Sequence, residues 1–185
     1  NSLRRRLLPT AVAGGVYLPF CGDGDIADVH YRDRRIFGAD LDHKRVATAS
    51  RRFPGSNIVV SDCDIWPFPN TKCPTFAVAD FDAYAYPYHS FRAFWANSSK
   101  AKTVVMFFTD GQGQAIFRSG YPTLPNGTKI TRDQLTVPLR RKLFNFWYTQ
   151  QCLPYLTEAI RPYRIVDKAM YRRGMMVYWG VAVQR

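Results

Sequence analysis

The stretch Gly15-Val16-Tyr17-Leu18-Pro19-Phe20-Cys21-Gly22-Asp23-Gly24-Asp25-Ile26-Ala27 decides how the rest of the chain is read. Gly15 to Phe20 is a short apolar run of strand length, and Cys21-Gly22-Asp23-Gly24 stops it. A short helix over Asp23 to Tyr31 follows. Gly22 and Gly24 tolerate positive φ and let the backbone pass close to a ligand. The helix start behind them offers unpaired N–H groups. The spacing is not the G-x-G-x-x-G of a dinucleotide-binding turn.

Outward from that bend the same alternation repeats. Arg35 to Asp40 reads as a second strand. Leu41 to Phe53 reads as a helix, with Leu41, Val46 and Ala49 on one face and Pro54-Gly55 as its stop. Asn57 to Ser61 is a third strand. Pro67, Pro69 and Pro74 break Trp66 to Pro74 into a loop or a degenerate helix. Thr75 to Phe81 is a fourth strand, Ser90 to Ser99 a helix, and Ala101 to Thr109 the most apolar strand, expected at the centre and buried on both faces. Asp110 to Pro138 is rich in Gly and Pro and reads as an excursion over the surface. Leu139 to Ile160 reads as a long helix kinked near Pro154. Tyr163 to Arg172 and Met175 to Gln184 are strands whose short link, Arg173-Gly174, forces them antiparallel. The expected fold is α/β: a Rossmann-like, seven-stranded, mostly parallel sheet with helices on both faces and a terminal antiparallel β-hairpin, all in one domain over residues 1–185.

Ligands of such sheets bind beyond the carboxyl ends of the strands. Three successive strand ends carry suitable groups. The first is the glycine bend. The second is Asp40, whose carboxylate suits a ribose diol; Asp42 competes but reads as a helix N-cap. The third is Ser61-Asp62-Cys63-Asp64, where an acid can accept from an adenine amino group.

With these residues in place, the chain resembles a class I S-adenosylmethionine-dependent methyltransferase over nearly its whole length. Leu18-Pro19-Phe20-Cys21-Gly22-Asp23-Gly24 is similar to the D-P-F-C-G-S-G turn of nucleic-acid methyltransferases. Asp80-Phe81-Asp82-Ala83-Tyr84-Ala85-Tyr86-Pro87 is similar to the D-x-D-P-F/Y-G-x-P segment of tRNA dimethylguanosine methyltransferases. Asp80, Asp82, Tyr84 and Pro87 stand in register, while Ala83 replaces Pro and Ala85 replaces Gly. Thr109-Asp110-Gly111 resembles that family's T-D segment. The large RNA-binding C-terminal region of those enzymes has no counterpart in this sequence.

The resemblance implies S-adenosylmethionine as cofactor, held by Pro19, Phe20, Cys21, Gly22, Asp23, Gly24, Asp40, Leu41, Asp62, Cys63 and Asp80. It implies catalysis by Asp82, Tyr84 and Asp80, with no metal. The cofactor is already an activated electrophile, so the protein's task is in-line positioning. Asp82 accepts an N–H bond from an exocyclic amine and takes its proton, and Tyr84 stacks on the target base. Tyr86, Tyr88 and His89 line the pocket, or else pack as half-buried loop residues. Leu18 stands where the family carries an acid, so contact with the methionine part passes to Asp23 or to another group.

Composition sets the outer limits. In 185 residues, 46% are hydrophobic and 15% aromatic, enough to bury a core without disulfide or metal. No apolar run approaches the ~20 residues of a membrane span. The four cysteines, Cys21, Cys63, Cys73 and Cys152, form no C-x-x-C pair, and read as reduced thiols of a cytoplasmic, intracellular protein. Twenty-six Lys and Arg against 14 Asp and Glu leave a net charge of +12, and the cations are clustered. That excess favours a nucleic-acid partner over a membrane surface, and the resemblance implies RNA ahead of DNA, as in tRNA processing. The alternatives are a small-molecule or protein methyltransferase, or a catalytically silent S-adenosylmethionine-fold subunit that binds RNA or protein. The missing third glycine and the closing hairpin disfavour a nicotinamide oxidoreductase.

Overall fold

Short apolar runs flanked by turn residues form strands because both faces of a central sheet are covered. The computed structural model describes residues 2–8, 13–68 and 74–185. Its strands are β1 Gly15–Pro19, β2 Ile36–Asp40, β3 Asn57–Val60, β4 Phe76–Phe81, β5 Lys100–Asp110, β6 Arg164–Arg173 and β7 Met176–Gln184. They form one seven-stranded sheet in the order β3-β2-β1-β4-β5-β7-β6. β3 through β5 run parallel. β7 enters antiparallel between β5 and β6, pairing Phe108 with Trp179 and Asp110 with Val177. The order reverses between β1 and β4, so the carboxyl ends of those two strands open a crevice.

Successive strand residues point to opposite faces, and the two faces differ in chemistry. Tyr17, Phe81 and Phe108 point to one face, among Phe91, Phe94, Trp147 and Trp179, in a core built largely of aromatic rings. Phe108 stacks on Trp179 with centroids 4.1 Å apart. Val16, Leu18 and Val78 point to the other face, against Leu3, Leu7, Tyr31 and Phe53. As expected, β5 is buried without interruption from Val104 to Asp110.

The helices are α1 Ser2–Leu7, α2 Asp25–His30, α3 His43–Arg52, α4 Tyr88–Asn97, α5 Gln112–Gln114, α6 Val137–Phe146 and α7 Leu153–Ala159. Asp42 caps α3, accepting the N–H groups of Lys44 at 2.9 Å and Arg45 at 3.4 Å. Leu41 therefore precedes the helix and is 70% exposed, not on the inner face with Val46 and Ala49.

Three further expectations need correction. α1 was unforeseen: Leu3 and Leu7, one turn apart, tuck under the sheet while Arg5 and Arg6 stay outside. The excursion after β5 begins as structure, since α5 continues into a π-helical turn over Ala115–Ser119 that buries Ile116. The long helix is real but divided: α6 passes through a π-helical turn, Trp147–Cys152, into α7. That turn delivers Trp147 Nε1 to the Asp110 carboxylate at 2.9 Å. The break thus lies before Pro154. Of the stretch Trp66 to Pro74, Trp66 to Phe68 is irregular, and residues 69–73, including Cys73, lie outside the described residues.

Candidate active site

The glycine bend is tied to its neighbours by backbone-directed bonds. The chain turns through three residues at positive φ, Phe20 at 61°, Gly22 at 53° and Gly24 at 86°. For Phe20 that conformation is strained by about 1 kcal/mol or more. It is held by the Phe20 N–H donating to Cys63 Sγ at 3.2 Å, while the Cys63 thiol donates to the Ala39 carbonyl at 3.4 Å. The ends of β1, β2 and β3 are thereby clamped together. The Gly22 N–H donates to Asp40 Oδ2 at 2.9 Å, and Asp40 Oδ1 accepts the Asp42 N–H at 3.0 Å. Bend and carboxylate are therefore neighbours. A Cβ placed on Gly22 would meet nothing within 4 Å, so the outer face of the bend is open space.

The remaining cofactor candidates sort by exposure. Asp23 and Asp62 are exposed; Asp62 Oδ1 accepts the Asp64 N–H at 2.9 Å. Pro19 is buried at the end of β1, and Cys21 is half-buried with its thiol beside Gly38. Burial first, then the nearby Asp40, pushes the Cys21 thiol up to about 12, so it is protonated and inert at neutral pH. Cys63 is buried and its sulfur is already engaged, which leaves only its backbone for a ligand. Leu18 points into the core beneath the sheet, away from the bend's open face.

Beyond the ends of β4 and β5 lies an open cavity of about 510 Å³. Asp82, Ala83, Tyr84 and Thr109 form one wall; Asp25, Ile26, Val29 and His30 of α2 form another. Gly24 precedes Asp25, so this wall continues directly from the glycine bend. Gln114, Met176 and Tyr178 close the far side, and Arg4 reaches in from α1. The Thr109 hydroxyl donates to Asp82 Oδ1. Burial raises the Asp82 carboxyl above the ordinary aspartate range, and the Thr109 bond offsets part of that rise. A raised carboxylate is the better proton acceptor. Tyr84 stands at the lip, 80% exposed. Its loop lies flat on the end of β5: the Gly111 N–H donates to Ala85 O at 3.0 Å, and any Cβ on Gly111 would strike the Tyr84 carbonyl.

Asp80 does not join Asp82. Its side chain is fully buried on the α1 and α2 side of the sheet, where Arg4 donates Nε at 2.6 Å and Nη2 at 2.8 Å and the Tyr31 hydroxyl donates at 2.7 Å. With its oxygens occupied and no solvent access, it is a structural ion pair, contrary to the catalytic and cofactor roles expected of it. Tyr86, Tyr88 and His89 also turn away from the cavity. Tyr86 donates to Leu124 O, Tyr88 donates to Asp110 in the core, and His89 pairs with Arg92. They pack as loop and core residues. Arg4, His30, Gln114, Met176 and Tyr178 were missed, because no local motif marks a side chain brought in by another element. His30 is lowered from its usual value by burial and by Arg4, which keeps it neutral beside Asp82.

No family model matches the chain, and no curated protein matches its sequence. Solved structures do match in fold. TrmN from Thermus thermophilus aligns at TM-score 0.52 and 16% identity, over 99% of this chain and 48% of that one. The present chain thus spans about half of that protein's length. An S-adenosylmethionine-dependent methyltransferase from Mesorhizobium loti aligns at 0.60 and 14% identity, over 98% and 95% of the two chains. The N-methyltransferase NodS from Bradyrhizobium japonicum, bound to S-adenosylhomocysteine, aligns at 0.62 and 9%, over 100% and 84%. The chain has the fold of S-adenosylmethionine-dependent methyltransferases. Among the described residues no helix is long and apolar enough to cross a membrane.

Proposed function

We propose that this chain is an S-adenosylmethionine-dependent methyltransferase that acts on a nucleic acid, at a base amino group, with RNA favoured over DNA. The observation that carries the reading is the joined pair of sites. An open glycine bend is hydrogen-bonded to Asp40, and its helix runs on into a cavity that Asp82 faces. Asp40 and Asp62 suit the ribose and adenine of the cofactor, and the free face of Gly22 suits close backbone contact with it. When bound there, the cofactor supplies an electrophilic methyl group. Asp82 accepts an N–H of the incoming amine and takes the proton released when the new C–N bond forms. Thr109 keeps one Asp82 oxygen oriented. Tyr84 offers a face on which an unstacked base can rest. The net charge of +12 supports a polyanionic substrate.

Calorimetry with S-adenosylhomocysteine tests the cofactor. Transfer of a labelled methyl group to bulk tRNA, DNA, protein and small amines tests the substrate. Heat of binding and label in RNA are expected. Absence of heat overturns the enzyme reading, and label only in protein or small amines overturns the nucleic-acid part. A second reading, a silent subunit with the same fold, is favoured by Leu18 lying in the core and by Ala83 in place of proline. Tight S-adenosylhomocysteine binding with no label in any acceptor decides for it.

A further inference from the structure

Several basic residues of this chain are held by its own acids. Around α2 and α3, Arg52 bonds Asp25 and Asp28, Arg32 bonds Asp28, and Arg45 lies 3.7 Å from Asp42, while Lys44 and Arg51 on α3 make no ion pair among the described residues. Arg4 is held by Asp80, and Arg6 by Asp167. α6 is different. It carries Arg140, Arg141 and Lys142 in one turn, no acid, and no buried residue. Arg141 and Lys142 are exposed and make no ion pair among the described residues. From residue 112 to 146, Asp133 is the single acid in the sequence, against six Lys and Arg.

Aromatic rings stand among these cations. Phe146 is 47% exposed and Tyr121 59%. Phe117 rests edge-on against Phe144, centroids 5.1 Å apart. The β6–β7 hairpin anchors this region. Arg172 lies over the Phe144 ring at 4.7 Å and donates to the carbonyls of Phe144 and Asn145 at 2.6 and 2.9 Å. The same hairpin supplies Met176 to the cavity, and the Gln114 amide beside it reaches Met176 Sδ at 3.5 Å. Phe144 of α6 also packs against Gly113, next to Gln114, so this end of α6 adjoins the far side of the cavity.

We propose that α6 and the segment leading into it form the docking surface for a single-stranded nucleic acid, whose path ends at the Asp82 cavity. This rests on the nucleic-acid reading above and adds where the strand lies and in what form. Phosphates meet Arg141 and Lys142, since unpaired exposed cations release the most counterions. Bases stack on Phe146 and Tyr121, which a duplex cannot do without opening.

The test is fluorescence anisotropy of labelled oligo(rU), alone and annealed to oligo(rA), with the full chain. Relative to wild type, Arg141→Ala with Lys142→Ala should weaken single-strand binding roughly ten-fold at ~0.1 M salt. Phe146→Ala should weaken it by a similar factor, on the order of one lost stack. Arg32→Ala with Arg45→Ala, the paired cations beside α2 and on α3, should change it less than about two-fold. S-adenosylhomocysteine heats should stay at the wild-type value throughout, which shows every variant folded. Equal loss from the paired-cation and α6 variants overturns the proposal, as does wild-type preference for the duplex. Unchanged binding by the α6 variants overturns it while leaving nucleic-acid binding standing. If wild type binds neither nucleic acid but self-associates through Phe146, both the docking surface and the nucleic-acid reading fall, and the face is a contact between copies.

Discussion

Asp82 is ionised against its surroundings. Burial raises its carboxyl, so the folded chain binds that proton more tightly than the unfolded chain does. The sign follows from linkage. The contribution is fully stabilising below the unfolded aspartate value and is lost as pH rises through the higher folded one. At neutral pH the charged carboxylate therefore destabilises the fold. Asp82→Asn removes the charge and keeps an oxygen for the Thr109 hydroxyl. It should melt higher than wild type at pH 7, with the gap closing as the pH falls below the aspartate range. Methyl transfer should drop by about 10²–10⁴ as the proton acceptor is lost. The wild-type rate should rise with pH along an acid limb placed above the usual aspartate value. Calorimetric melts at several pH values, beside initial rates, check both. A variant that melts lower at every pH marks Asp82 as structural. Asp110 is a different kind of buried acid. It is fully buried and its bonding partners are uncharged: Tyr88, Trp147, the Gln112 N–H and Cys152. Trp147→Phe removes one of those donors, and should cost about 1–3 kcal/mol in urea unfolding.

At the scale of elements, α1 is held by Leu3 and Leu7 beneath the sheet and by one buried ion pair. Arg4 passes from α1 to Asp80 on β4, with Tyr31 at the end of α2 as third member. Truncating Arg4 leaves a carboxylate buried with a single hydroxyl donor. Arg4→Ala should therefore cost about 3–5 kcal/mol, whereas Arg4→Met with Asp80→Leu and Tyr31→Phe should return most of it. Equilibrium urea unfolding of both variants measures this. The cluster also shows why Asp80 misled. The alternation of Phe81 with Asp80 and Asp82 puts both acids on the same side of a regular strand, and the resemblance gave both a role. What separates them is a partner some eighty positions away in sequence, on a helix whose Arg4-Arg5-Arg6 reads as a solvated run. The strands and the closing antiparallel hairpin were legible because their signals are local: apolar runs, glycine and proline stops, a hairpin link too short for a crossover. Asp42 as a cap and Tyr84 beside a cavity were legible for the same reason. The π-helical turn over Trp147–Cys152 was not, since it answers to Asp110 on a distant strand. Tyr88 followed the alternative of packing, because its hydroxyl finds Asp110 and Cys152 in the core.

Taken as a whole molecule, a net charge of +12 does not say where a partner meets the surplus. Much of the positive charge is neutralised within the fold, by Asp25 and Asp28 between α2 and α3, by Asp80 under the sheet, and by Asp167 on β6. Part of the surplus is concentrated as Arg140, Arg141 and Lys142 within one turn of α6. This has a measurable consequence for how binding responds to salt. Each phosphate contact on a single strand contributes about 0.7 to the slope of log affinity against log salt. If charge acted as a uniform cloud, removing any two exposed arginines would lower the slope equally. With the charge concentrated, Arg141→Ala with Lys142→Ala should lower it by about 1.4, and Arg32→Ala with Arg45→Ala, both already paired with aspartates, should leave it where it was. A salt titration of oligo(rU) binding for the three proteins reads the difference directly. Parallel slopes for both double variants would mean that the fold does not direct its charge, and that the strand has no set course toward Asp82.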